Sequence, residues 1–243
     1  MFRKKPSVYA EAFNFSRELP DAKKVLILAA HPDDETLGCA GVISLHKKTG
    51  AEVRSFVMAD GAKVHYEGIE DIKELRKKEA MAAGEILGID KIYFLDIPDM
   101  ELERYKDKAH AEVYAFINEY SPDLVYAPSP LDFHPDHRVA SDIAMEIVRK
   151  GIRIAFYEIY APIRFNMLID ITGVMPLKEK AISLYNSSLL GKPFHFVRAM
   201  KGLNAYRGFL ADVVEEERYY EAFFVIDERW GKGKLIQWLT YSL

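Results

Sequence analysis

Two short polar stretches hold residue types able to do hydrolytic chemistry: "HPDDE" at 31–35 and "HPDH" at 134–137. His31 and Asp34 are three apart across a turn, and His134 and His137 repeat that spacing in a second loop far along the chain. Neutral imidazole and carboxylate both ligate Zn2+, and a catalytic zinc keeps three protein ligands with one position open to water. His31, Asp34 and His137 would supply two nitrogens and one oxygen, a set that also accepts Fe2+, Co2+ or Mn2+. Singly, each stretch has a plainer reading. Acids in a first helical turn cap free N–H groups, as Glu35 is expected to do, and a loop histidine is often a surface residue. Together, on one edge of one sheet, they point to a metal site. The remaining histidines, His46, His65, His110 and His195, stand in polar or helical surroundings and read as solvated.

The elements that must position these residues alternate along the chain. Apolar runs at 24–30, 52–59, 91–97, 123–129 and 152–159 read as strands, and 36–48, 69–87, 107–119 and 137–149 read as helices. Ile72, Leu75, Ala82, Ile86 and Leu87 share one stripe of the second helix, and Gly88 closes it. Such alternation predicts an α/β fold: a mostly parallel sheet with helices on both faces. In open sheets of this kind ligands bind beyond the carboxyl ends of the strands. "HPDDE" follows the first strand directly, and "PLDFHPDH" (130–137) follows the fourth. Further on, 165–171 and 218–226 read as strands, and 175–189 and 193–211 as helices. No repeat or Pro/Ser-rich linker interrupts the chain, so one domain over 1–243 is expected, with a regular core at about 24–160 and a less regular part at about 161–243.

Composition narrows the class. The chain has 243 residues, 49% hydrophobic and 12% aromatic, ample for a sizeable core. A net charge of −4 offers no basic excess for nucleic acid. The single cysteine, Cys39, excludes an internal disulfide and reads as packed in the first helix. No apolar run approaches the ~18–20 residues of a membrane span, and the first twenty residues lack a signal-peptide core. A cytoplasmic protein is expected, with a homo-oligomer left open.

"AHPDDE" and "HPDH" resemble the signature of the PIG-L/LmbE-type zinc deacetylases, as do "ELRKKEAMAAGEILGI" (74–89), "IPDMEL" (97–102) and "PDLVYAPSPLDFHPDH" (122–137). The resemblance covers roughly 24–140. It implies a Rossmann-like fold and removal of an N-acetyl group from a small N-acetylglucosamine-containing molecule. It implies His31, Asp34 and His137 as zinc ligands and Asp33 as general base, free to reach water while Asp34 is committed to the metal. By the same resemblance His134 faces the developing oxyanion as an imidazolium, and Asp136 orients it or raises its pKa. Arg76 and Asp99 would contact the sugar; their plainer readings are an ion pair with Glu79 and a turn after proline.

Other classes stay open from the residues alone. Two histidines and a carboxylate also make an Fe(II) oxygenase triad, and a metal phosphoesterase would need a second acidic cluster. A non-catalytic nucleotide-binding module fits the alternation, but "HPDDETLG" lacks spaced glycines and its acids would repel phosphate.

Overall fold

In the computed structural model, which describes residues 15–63, 71–188, 193–211 and 216–227, strand β1 (Lys24–Ala29) sends alternate side chains into two cores. Val25 and Ile27 join one, Leu26 and Leu28 the other, as the period-2 geometry of a strand covered on both faces requires. The first core takes Leu37, Cys39, Val42 and Ile43 of α1 (Asp34–Lys48), Ala80, Ala83 and Leu87 of α2 (Ile72–Leu87), and residues of α5 (Met175–Ile182) and α6 (Pro193–Ala211). The second takes Val113, Phe116 and Ile117 of α3 (Lys106–Tyr120) and Val139 and Ile143 of α4 (Pro135–Ile147).

The remaining strands are β2 (Glu52–Ala59), β3 (Lys91–Ile97), β4 (Leu124–Pro128), β5 (Arg153–Tyr157), β6 (Met167–Asp170) and β7 (Tyr220–Ile226), in the sheet order β3-β2-β1-β4-β5-β7-β6. Strands β1 to β5 pair in parallel, and β7 joins β5 and β6 antiparallel. The fold is thus α/β, with a mostly parallel sheet and helices on both faces. The chain's direction of travel reverses between β1 and β4, which is where doubly wound sheets open a crevice. Ile27 lies opposite Tyr126, so the two strands end level and deliver their loops to one place.

Two glycines let α1 settle close on its neighbours. A methyl on Gly38 would run into the Tyr157 ring, and one on Gly41 into Ile171. The predicted helix at 175–189 stops at Ile182. Beyond it the chain turns so that Tyr185 and Ser187 reach inward to Glu35 and Glu79. His65 and part of the 184–196 stretch fall outside the described residues. No helix among the described residues is long and apolar enough to cross a membrane.

Candidate metal centre

The loop after β1 and the first turn of α4 meet at the carboxyl edge of the sheet. His134 caps α4, its Nδ1 accepting from the Asp136 N–H at 3.3 Å, and Pro135 opens the helix with a fixed φ. His137 therefore stands in the first helical turn and points back to β1. The ring centroids of His31 and His137 are 5.3 Å apart. One nitrogen of each of His31, His134 and His137 falls within 4.8 Å of the others.

His31 and His137 each have one nitrogen tied to a carboxylate and the other turned to Asp34. His31 Nε2 lies 3.1 Å from Asp136 and 3.2 Å from Asp99, while its Nδ1 is 3.7 Å from Asp34 Oδ2. His137 Nδ1 lies 3.2 Å from Asp132, and its Nε2 is 3.3 Å from the same Asp34 oxygen. Both His137 nitrogens are buried without a well-aligned hydrogen bond. Bonds of ~2.0–2.1 Å in a tetrahedron set ligand atoms about 3.3 Å apart, close to the 3.3 and 3.7 Å that separate Asp34 Oδ2 from His137 and His31. Carboxylates behind both imidazoles complete the pattern that fixes a metal-binding tautomer. His134 differs. Its Nδ1 is an acceptor, so the neutral ring carries its proton on Nε2 and offers a donor rather than a lone pair.

The electrostatics follow from packing positive and negative groups out of water. Burial opposes charge on His31, but bonds to Asp136, Asp34 and Asp99 override it and hold its pKa well above the ordinary value. Burial likewise opposes the Asp34 carboxylate, yet His137 and His31 hold it well below the usual range. Burial also opposes charge on His137, but Asp34 and Asp132 lift it to about 9. A metal ion would replace those protons as the positive partner. Asp33 behaves oppositely: burial raises its carboxyl, and Arg76 and Ser188 pull it back only in part.

Asp33 is held from two sides. Arg76 donates to its Oδ2 at 2.9 Å and Ser188 at 2.8 Å, while the Asp33 N–H donates to Glu35 at 3.2 Å. Its φ of 150° lies where L residues rarely go, a conformation that costs roughly 1–3 kcal/mol. Arg76 also donates to the Gly61 and Pro32 carbonyls and to the Ser188 hydroxyl, so it clamps three loops and does not pair with Glu79. Glu79 instead accepts from the Ser187 N–H and hydroxyl. His31, Asp33, Arg76, Asp99, His134 and Tyr160 line a cavity of about 130 Å3.

Three expectations need correction. Asp136 contacts His134 through its backbone N–H and its charge raises the His134 pKa, but its carboxylate does not bond the ring: it is taken up by His31 and by the Met100 and Leu102 N–H groups at 2.8 and 3.2 Å. An imidazolium at His134 is disfavoured: burial, and then charge on His31 and His137, lower its pKa. His46 is not solvated. It is buried beneath α1 with Nε2 2.9 Å from the Tyr126 hydroxyl, and burial lowers its pKa to about 4. Cys39 is packed as expected; Glu35, expected to cap the first helical turn, accepts from the Asp33 N–H at 3.2 Å and is in addition buried, accepting from Tyr185 at 2.8 Å. His195 is exposed, and His110 meets Glu146.

Asp132, Tyr160, Ser187 and Ser188 escaped the sequence-based choice of site residues. Asp132 had a local signal, a carboxylate two residues before a histidine N-cap. The serines had none, because their partners lie over a hundred positions away (|i−j| of 108 and 155).

Fold and site together define an α/β protein with a candidate metal centre at a sheet crossover. The chain belongs to the PIG-L family: the family description "PIG-L: GlcNAc-PI de-N-acetylase" matches residues 26–148. A diacetylchitobiose deacetylase from Thermococcus kodakarensis is 30% identical over 200 residues, covering 72% of this chain and 73% of its own. The solved N,N'-diacetylchitobiose deacetylase from Pyrococcus horikoshii aligns with a TM-score of 0.77 at 27% identity, over 91% of either chain. A 4-oxalmesaconate hydratase from Pseudomonas putida is 32% identical over 135 residues, 51% of either chain.

Proposed function

We propose that this protein is a metal-dependent N-deacetylase acting on a small N-acetylated amino sugar, with His31, Asp34 and His137 holding one Zn2+. The observation that carries the reading is the convergence of His31 Nδ1 and His137 Nε2 on Asp34 Oδ2, each ring backed by a carboxylate. A bound zinc would acidify a water and polarise the acetyl carbonyl. Asp33, raised by burial, takes the proton of the attacking water and later returns it to the leaving amine. Arg76 and Ser188 both hold Oδ2, so the proton is carried at Oδ1. His134 presents its Nε2–H to the charge that develops on the carbonyl oxygen, a contribution of typically ~3–4 kcal/mol. Arg76 and Asp99 line the cavity and face the sugar. One sheet running from β1 to β7 supports a single domain, and the net charge of −4 favours a small substrate over nucleic acid.

Metal analysis of the purified protein, with acetate release from N-acetylglucosamine and its conjugates, tests this. Wild type is expected to hold about one metal per chain and lose turnover on chelation. His137→Ala should lose both metal and activity. Acetate release by metal-free protein would sink the proposal. A second reading, addition of water to a carbon–carbon double bond, is favoured by the identity to the Pseudomonas putida hydratase. Hydration of an unsaturated dicarboxylic acid with no acetate release would establish it instead.

A further inference from the structure

We propose that Glu79 is a positioning residue for Asp33: it grips Ser187, and so holds the neighbouring Ser188 hydroxyl against the Asp33 carboxylate. This rests on the deacetylase reading above and extends its machinery to a buried acid that does not line the cavity. Among the described residues no cation pairs with Glu79, since Arg76, one turn earlier on α2, is committed to Asp33. Burying a carboxylate without a positive partner is costly unless its oxygens are satisfied in another way. Here a single serine satisfies both. The Ser187 N–H donates to the two Glu79 oxygens at 3.0 and 3.3 Å, and its hydroxyl donates to Oε2. A glutamine would bring only one acceptor oxygen to the same place.

The effect reaches Asp33 one residue later. Ser188 is buried and donates to Asp33 Oδ2 at 2.8 Å. Arg76 reaches that same oxygen at 2.9 Å and the Ser188 Oγ at 3.3 Å. Arg76 and Glu79 are three apart and share a face of α2, so one helix holds both serines. Tyr185 adds a further tie, donating to Glu35 at 2.8 Å, while the other Glu35 oxygen accepts from the Asp33 N–H. The segment 185–188 thus reaches the carboxylate of Asp33 directly and its backbone through Glu35. The terminal torsion of an aspartate is soft, so these bonds decide which oxygen faces the cavity. A general base must stay within hydrogen-bond reach of the proton it takes. Loosening Ser187 would therefore slow turnover and leave substrate binding alone.

Steady-state acetate release from N-acetylglucosamine, or from the conjugate wild type turns over best, by wild type, Ser188→Ala, Glu79→Ala and the double variant tests the clamp. Metal content and urea unfolding are measured beside it. Each single variant should lower kcat about tenfold, with KM within about twofold of wild type and metal content unchanged. In the Ser188→Ala background, Glu79→Ala should change kcat by less than about twofold, because the path it uses is already cut. Losses that multiply, a loss carried by KM, or an unchanged kcat in Glu79→Ala overturn the clamp and leave the deacetylase reading intact. Should Glu79→Ala fail to fold, Glu79→Gln takes its place in the same cycle, with a loss of about three- to fivefold and the same non-additivity. A wild type that releases acetate from none of these sugars overturns both.

Discussion

The two ends of the sheet do different work. From β3 to β5 every strand is parallel, so carboxyl ends and helix N-termini gather on one edge, and His31, Asp33, Asp34, His134 and His137 all come from that edge. The antiparallel end, with β6, β7 and the segment after α5, supplies none of the candidate ligands. It supplies supports: Ser188 on Asp33, Tyr185 on Glu35, and Glu221 on α1 itself. Glu221 accepts from the Gly41 and Val42 N–H groups at 2.8 and 2.9 Å, and Lys178 lies 2.7 Å away in a buried pair. The difference teaches that topology gathers the reactive groups on the parallel edge, where Arg76, Asp132 and Asp136 also hold them, while the antiparallel end adds further supports and no candidate ligand.

Three substitutions sharpen that division. Asp33→Asn, on the parallel edge, should lower kcat about 10²–10⁴-fold while metal content stays at the wild-type level, read by kinetics and metal analysis. Loss of metal instead would exchange the roles of Asp33 and Asp34. Glu221→Gln, at the antiparallel end, should cost about 3–5 kcal/mol in urea unfolding, because Lys178 keeps its charge without a partner. A stability within 1 kcal/mol of wild type (~1 kcal/mol being an ordinary mutational effect) would remove Glu221 from the supports. The smallest effect concerns His46, whose folded pKa of about 4 lies below the ordinary 6.5. The unfolded chain takes the proton first, so this stability is complete above pH 6.5 and is lost as pH falls towards 4. The loss reaches up to about 3 kcal/mol. His46→Gln should flatten the acid limb of a stability–pH curve; an unchanged slope would count against it.

Much of the parallel half is legible in the sequence. β1 and β2 alternate or run apolar over short spans, α2 ends at Gly88 in the left-handed region although it buries Ala80 and Ala83 where the stripe predicts Ala82, and the histidine pairs follow strands directly. Those signals are local. What was not legible depends on distance: Asp136 turns from His134 to His31 because the Met100 and Leu102 N–H groups fix its carboxylate from another loop. His46 has the polar neighbours of a surface residue, yet its helix face meets Tyr126 from β4. Ser187 and Ser188 sit in "YNSSLL", a stretch whose composition says only that a helix is ending. Single hydrogen bonds between remote segments leave no periodicity to read.

The backbone at Asp33 sets chemistry against robustness. A residue with φ of 150° sits where glycine is at ease and aspartate is not. Among replacements that remove this carboxylate, Asp33→Gly is the one the chain conformation prefers. Laboratory selection for heat resistance alone would thus find its easiest step at the carboxylate proposed as the general base, and would have to be run with an activity screen beside it.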